Sequence, residues 1–221
     1  KSMDFGKAFS FVFDDPDWLK KIAIAALVGL IPIVGQFVLV GWALETAKRV
    51  IRQDPAPLAD LDFGGQLSLG FQSFLIGLVY SIPAFIIYLP AFIVPFLFAD
   101  SSTSGDAAAA AITIVVLCCT GLMVLYLLLM AIMLPAAHGS FLATGRLGAA
   151  FDFKQVFALL RAAPGPYLLV LLGGLIGSFI APLGAIACGV GALLTSAYAL
   201  LITAHLIGQA YREAVANGAN V

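Results

Sequence analysis

The sequence predicts an all-helical integral membrane protein, and three observations carry that prediction. Hydrophobic residues make up 62% of the 221 and charged residues only 10%, with a mean hydropathy of +1.07. Soluble domains are about 45–50% apolar and about 25% charged, and no soluble fold of this length has enough interior to hide such an excess. Four long stretches, 22–44, 67–99, 107–145 and 162–211, contain no Lys, Arg, Asp or Glu. A run of about 18 or more apolar residues reads as a membrane helix. Finally, "VVLCCTGLMVLYLLLMAIML" (115–134) is apolar all round, unlike barrel strands, which alternate over segments of about 10 residues.

The chain opens with "MDFGKAFSFVF" (3–13). Asp4 is a natural N-cap, and Phe5, Phe9, Val12 and Phe13 share one helical face, which predicts a short amphipathic helix lying in the membrane interface. In "DDPDWLKK" (14–21), Asp15 supplies a cap, Pro16 a first helical position, and Trp18 with Lys20 and Lys21 an interface anchor. The first apolar run starts only at Ile22, behind this charged segment, so no cleavable signal is expected.

Run 22–44 admits two readings. As one crossing it would place Lys20 and Lys21 opposite Lys48, Arg49 and Arg52; as a hairpin turning at Pro32–Gln36 it keeps them together. Charge favours the hairpin. All eleven Lys and Arg lie in residues 1–21, 48–52, 146–161 and at Arg212, whereas 99–106 holds acids and no base. Cytoplasmic loops collect Lys and Arg, so the basic zones and both termini are expected inside and 99–106 outside. Two helices over 17–31 and 37–52 would each measure only about 23 Å.

Runs 67–98 and 107–137 each exceed one crossing. Pro83, Pro90 and Pro95 are expected to kink or break the first, leaving part of it along the outer surface. Residues 166–207 suffice for two crossings with "APLG" (181–184) as the turn, and Gly173 with Gly177 suits close helix contact.

An Asp-Phe segment recurs at 3–13, 61–71 and 151–160, with Asp4, Asp62 and Asp152 as caps and, in the last, Phe153, Val156, Phe157 and Leu160 on one face. The expected architecture is therefore a single membrane domain, 1–221, of about six transmembrane helices. These form three parallel hairpin repeats, about 4–52, 62–146 and 152–212, each preceded by a short interfacial amphipathic helix and related by an axis along the membrane normal.

Each hairpin closes alike: Ala47-Lys48, Ala137-His138 and Ala204-His205, followed by Arg52, Arg146 and Arg212. Around a pseudo-threefold axis these bases would converge on the inner face and bind an anionic headgroup or solute. The plainer reading, and the commoner situation, is that each marks a span end and reaches for water. Glu45 lies within one turn of Lys48 and Arg49, as an i,i+3 or i,i+4 partner. Asp4-Phe5-Gly6 and Asp62-Phe63-Gly64 spell the kinase magnesium motif without its other parts, so they read as caps.

No catalytic, cofactor or metal site is expected. The two histidines lie at span ends, no serine has a G-x-S-x-G context, and Cys118, Cys119 and Cys188 lack metal spacing and read as small apolar packing residues. A net charge of −1 and the lack of a basic tract give no sign of nucleic acid.

Residues 27–85, with the short hairpin, Gly41-Trp42, a basic helix end, the Pro57-Leu58 linker, Asp62 in "DFGG" and Gly70, resemble a prokaryotic family of multi-pass membrane proteins known only as a domain of unknown function. "FSFVFDDPDWLKKI" (9–22) is similar too. The resemblance implies a helical membrane fold and a prokaryotic source, hence the cell's inner membrane, and carries no activity. The expected function is a non-enzymatic scaffold or accessory subunit binding lipid, a partner membrane protein or a second copy of itself. The alternative is a small transporter or channel for an apolar or anionic solute. Three parallel hairpins are similar in outline to mitochondrial carriers, whose P-x-[DE]-x-x-[RK] signature is missing: Trp18 stands where Pro16 requires an acid.

Overall fold

A computed structural model describes residues 2–99, 105–187 and 190–219. Among them there is no strand. The helices are α1 (Lys7–Ser10), which runs into a 3-10 turn over Phe11–Asp14, α2 (Trp18–Val28), α3 (Val34–Arg52), α4 (Phe63–Ala99) and α5 (Asp106–Thr144). A 3-10 turn over Leu147–Phe151 leads to α6 (Phe153–Ala162) and α7 (Pro164–Leu183), and a further turn over Gly184–Ala187 precedes α8 (Val190–Ala216).

Four segments are long and apolar enough to cross a membrane: Phe63–Phe98, Ala108–Thr144, Pro164–Ile186 and Gly191–Ala216. The six crossings expected from sequence reduce to four by this measure. α2 has only 11 residues where a span needs about 20, and the last two turns of α3 carry Glu45, Lys48, Arg49 and Arg52.

Run 22–44 is broken, as the charge argument requires. α2 ends at Val28 and α3 begins at Val34, so the turn is centred slightly before Pro32–Gln36 and Gln36 belongs to α3. The chain then comes back: Lys21 near the start of α2 and Arg49 near the end of α3 both reach the carboxylate of Asp60, at 2.9 and 3.9 Å. α2 and α3 are a hairpin with both open ends on one side.

Two sequence expectations change. α4 continues through Pro83, Pro90 and Pro95 without a break. Each proline removes one backbone donor, but an apolar medium offers freed groups no water, so keeping the remaining helical bonds is the least costly arrangement. The C-terminal turn falls later than 181–184: Pro182 lies inside α7 and the turn begins at Gly184. Acidic loop 99–106 and Cys188 lie mostly or wholly outside the described residues.

The chain divides into two compact units, Lys1–Ile76 with Ile132–Val221, and Gly77–Ala131. The second comprises the C-terminal part of α4 and the N-terminal part of α5, joined by a hydrogen bond from the Tyr126 hydroxyl to the Tyr80 carbonyl. Its surface is largely apolar, with Phe85, Phe92, Phe96, Leu97, Leu117 and Leu125 all exposed.

In the first unit, α8 is the central element. Gly173 of α7 faces Leu206 and Gly177 faces Ala199, so the small pair does sit at a close helix contact. α3 and α4 cross backbone to backbone at Gly41 and Gly70: a Cβ on Gly41 would lie 1.8 Å from the Gln66 carbonyl oxygen, and one on Gly70 1.8 Å from that of Phe37. Ser73 of α4 and His138 of α5 share a 2.8 Å hydrogen bond.

The three Asp-Phe segments differ in structure. The first is not one amphipathic helix but α1 and a 3-10 turn, strapped along α8. The Tyr198 hydroxyl donates to the Phe9 carbonyl at 2.6 Å, and the Phe11 ring stacks on His205 at 4.2 Å. Ala8, Phe11 and Val12 are buried there, while Phe13 is exposed. The second runs straight into α4. The third forms α6, whose cap is the expected one: Asp152 accepts from the Gln155 N–H at 3.1 Å. Asp4 likewise accepts from the Lys7 N–H at 2.9 Å.

Candidate functional site

Both polar clusters of interest lie in the first unit, where the open end of the α2–α3 hairpin meets the N-terminal segment and α8. The linker between α3 and α4 is sewn down over three residues. The buried Trp42 indole donates to the Ala59 carbonyl at 2.8 Å, and the Ala59 N–H donates to the Thr46 hydroxyl at 3.3 Å. Arg49 donates to the Leu58 carbonyl at 3.2 Å, and the Gln66 amide to the Asp60 carbonyl at 2.7 Å. Lys21 is held by Asp15 at 2.7 Å and Asp60 at 2.9 Å.

The hydrogen bond from Lys21 holds the Asp60 carboxyl below its ordinary 3.8, with the Lys21 and Arg49 charges acting in the same direction. A carboxyl depressed on folding adds stability above its unfolded pKa and loses it as pH falls through the folded one. Unfolding of the wild type should therefore ease as pH drops below about 4, and Asp60→Asn should flatten that acid limb. Asp60's side chain is 73% exposed, so solvent limits the difference to about 0–1 kcal/mol. A pH series of unfolding midpoints for both proteins reads it.

Beside this strap lies a cavity of about 520 Å³, walled by Lys7, Phe11, Asp54, Leu58, His205 and Arg212 among others. A smaller one of about 260 Å³ adjoins it and shares Lys7, His205 and Arg212. The sequence folds these walls locally: Gln53 takes φ 62 and stops α3, and the proline-rich 55–58 stretch cannot continue a helix. Lys7 pairs with Asp14, and the His205 Nδ1 lies 2.9 Å from the Gln209 amide nitrogen. Arg212 is different. Its Nε is buried with no hydrogen-bond partner, and no ion pair neutralises it among the described residues. Asp54 on the same cavity wall is likewise without an ion pair there.

Of the six bases singled out in the sequence, this site brings together His205 and Arg212. Lys48 pairs with Glu45 at 2.9 Å, as its spacing predicts. His138 lies at the α4–α5 contact with Ser73. Arg52 and Arg146 are exposed and line neither cavity. The pattern reading missed Lys7, Asp54 and Gln209, which come from three separate segments. The proline-rich linker carrying Asp54 was the available signal.

The family model described as a protein of unknown function, DUF4013, matches residues 24–207. That range includes most of the hairpin, the linker, Asp54 and His205 but not Lys7, Lys21 or Arg212. No curated protein and no solved structure matches the chain. With most of its length matched by that model, from within α2 to within α8, the chain belongs to the DUF4013 family of proteins of unknown function.

Proposed function

We propose that the protein is a non-enzymatic scaffold or accessory subunit of the prokaryotic inner membrane that holds a phospholipid by its headgroup in the Lys7–His205–Arg212 cavity. The observation behind this reading is the buried, unpartnered Nε of Arg212 on the wall of a 520 Å³ cavity. A buried donor left unsatisfied costs about 1–3 kcal/mol, and a phosphate oxygen is the acceptor a guanidinium fits best. The wall also carries an unpaired acid, Asp54. A headgroup with both phosphate and ammonium answers both charges, the phosphate on Arg212 and the ammonium on Asp54. Lys7, Lys21, Arg49 and Arg212 gather at this end, and by the positive-inside rule that supports a cytoplasmic orientation for it.

The test is lipid retention. Protein purified in mild detergent should carry a phospholipid, detected by extraction and mass spectrometry. Arg212→Gln should lose most of it, and Asp54→Asn should keep phospholipid while losing preference for amine-bearing headgroups. Wild-type protein without lipid, or retention unchanged in Arg212→Gln, would refute the reading. Flux of a small solute into liposomes that Arg212→Gln abolishes would favour transport instead.

A further inference from the structure

The tip of the α2–α3 hairpin is built in an unusual way. Ile33 adopts φ 63, ψ −64, and the Val34 N–H donates to the Pro32 carbonyl at 2.7 Å. This is a γ-turn of the rare positive-φ kind. Positive φ at a β-branched residue is an outlier with a cost of about 1–3 kcal/mol. Water-facing turns avoid it by placing Gly, Asn or Asp there and leaving spare backbone groups to solvent.

This turn keeps nearly all its polar groups to itself. The N–H groups of Gly29, Leu30, Ile31, Val34 and Gly35 all find acceptors between Ala25 and Pro32. Pro32 has no N–H to satisfy, and across Gly29–Gln36 only the Ile33 and Gln36 N–H groups have no acceptor among the described residues. The polar side chain within this segment, Gln36, turns back and donates to the Gly29 carbonyl at 2.6 Å. What the tip presents outward is apolar: Leu27, Leu30, Ile31 and Ile33 are exposed, Ile33 by 73%.

Length adds a third constraint. The polar root of the hairpin is fixed by the Lys21–Asp60–Arg49 cluster. From Lys21 to Ile31 an α-helix rises about 15 Å, and from Ile33 to Arg49 about 24 Å. The hydrocarbon layer is about 30 Å thick.

We infer that α2–α3 is a re-entrant hairpin, entering and leaving by the face that carries Lys21 and Arg49, with its Leu30–Val34 tip embedded among lipid acyl chains. In hydrocarbon each unsatisfied backbone group costs several kcal/mol. A strained γ-turn that satisfies the Pro32 carbonyl is the cheaper arrangement there, which accounts for a geometry that water would not require. The protein then crosses the membrane by α4, α5, α7 and α8 and dips into it once more.

Two measurements on the full chain test this, the first of them read both in phospholipid vesicles and in intact cells, with Cys118, Cys119 and Cys188 replaced by alanine. Ile33→Cys and, separately, Leu30→Cys carry an environment-sensitive fluorophore. Lipids spin-labelled deep in the acyl chain should quench it more strongly than headgroup-labelled ones. In intact cells both cysteines should resist an impermeant maleimide, while Asp54→Cys labels only after the membrane is opened. Labelling of Ile33→Cys from outside would mean that the hairpin crosses completely. Labelling only together with Asp54→Cys would mean that the tip never enters the bilayer. Resistance to both reagent and quencher would mean that protein covers it. Each of these overturns the inference.

The second measurement uses the sign of a stability change. Asn tolerates positive φ better than Ile, so at a water-facing tip Ile33→Asn should raise the unfolding temperature. In acyl chains its amide lacks partners and the temperature should fall. Ile33→Gly, which relieves strain without adding a polar group, should raise it in either setting and guards against general misfolding at this position.

Discussion

Alanine at Gly41 is expected to destabilise the protein by about 1–3 kcal/mol or more, because the added methyl lands on backbone rather than on a side chain that can move. Its Cβ would sit 1.8 Å from the Gln66 carbonyl oxygen, and the crossing at Gly70 is equally tight against Phe37. Relief requires α3 and α4 to separate, which pulls at the Trp42–Ala59 and Gln66–Asp60 hydrogen bonds beside the crossing. Gly41→Ala and Gly70→Ala act on the same contact, so the double variant should lose less than the sum of the two. Gly121→Ala is the control. No heavy atom lies within 4 Å of its added Cβ, and alanine in a helix interior favours folding by about 1 kcal/mol over glycine. Unfolding of the four variants in detergent checks the contrast; a Gly41→Ala protein as stable as wild type would contradict the backbone contact.

Trp42→Ala should have a larger effect, about 3–5 kcal/mol, since it empties a fully buried site. The indole supports two elements at once. Its ring lies in the cluster with Phe11, Ile22, Leu39 and Leu201, and its N–H holds the Ala59 carbonyl of the linker. Trp42→Phe separates the two contributions: it keeps most of the packing and should lose about 0.5–1.5 kcal/mol for the hydrogen bond. If the linker depends on this bond, residues 53–60 should become the first site of proteolysis in Trp42→Phe. Cleavage that still begins elsewhere would show that Lys21, Arg49 and Gln66 hold the linker without it.

Several parts of this structure were legible in the chain because they depend on neighbours close in sequence. Asp152 caps α6, since a side-chain oxygen there needs only to reach an N–H three residues on, and Asp4 makes the same kind of bond to the Lys7 N–H although the N-cap of α1 itself is Gly6. Glu45 and Lys48 meet across one helical turn. The turn inside 22–44 followed from charge on either side of a proline. Other readings had less to work with. Proline content suggested a kinked or broken α4, but the cost of losing a helical bond depends on whether water can replace it, and here the helix continues without a break. Phe5, Phe9, Val12 and Phe13 have helical spacing, yet docking against α8 bends the segment into a 3-10 turn that buries Phe11 and leaves Phe13 outside.

The candidate site shows the same division. His205 and Arg212 were visible as bases at the end of an apolar run, as were Lys48 and His138 in their own segments. Which of them share a cavity depends on how each helix is rotated about its axis, and hydropathy along the chain does not encode that rotation. Lys7 and Asp54 reach His205 and Arg212 from roughly 200 and 150 residues away along the chain, separations over which short-range periodicity carries no signal. By itself the sequence determined that the chain is helical, that long parts of it are apolar enough to cross a membrane and that Asp152 caps α6, all consequences of composition and local geometry; α2, by contrast, starts at Trp18 behind Asp17 rather than at Pro16 behind Asp15. Only the tertiary structure decided that Arg212 faces a cavity with its Nε unpartnered, that Gly41 meets Gly70, and that Trp42 holds the linker, because those outcomes are set by packing between distant segments.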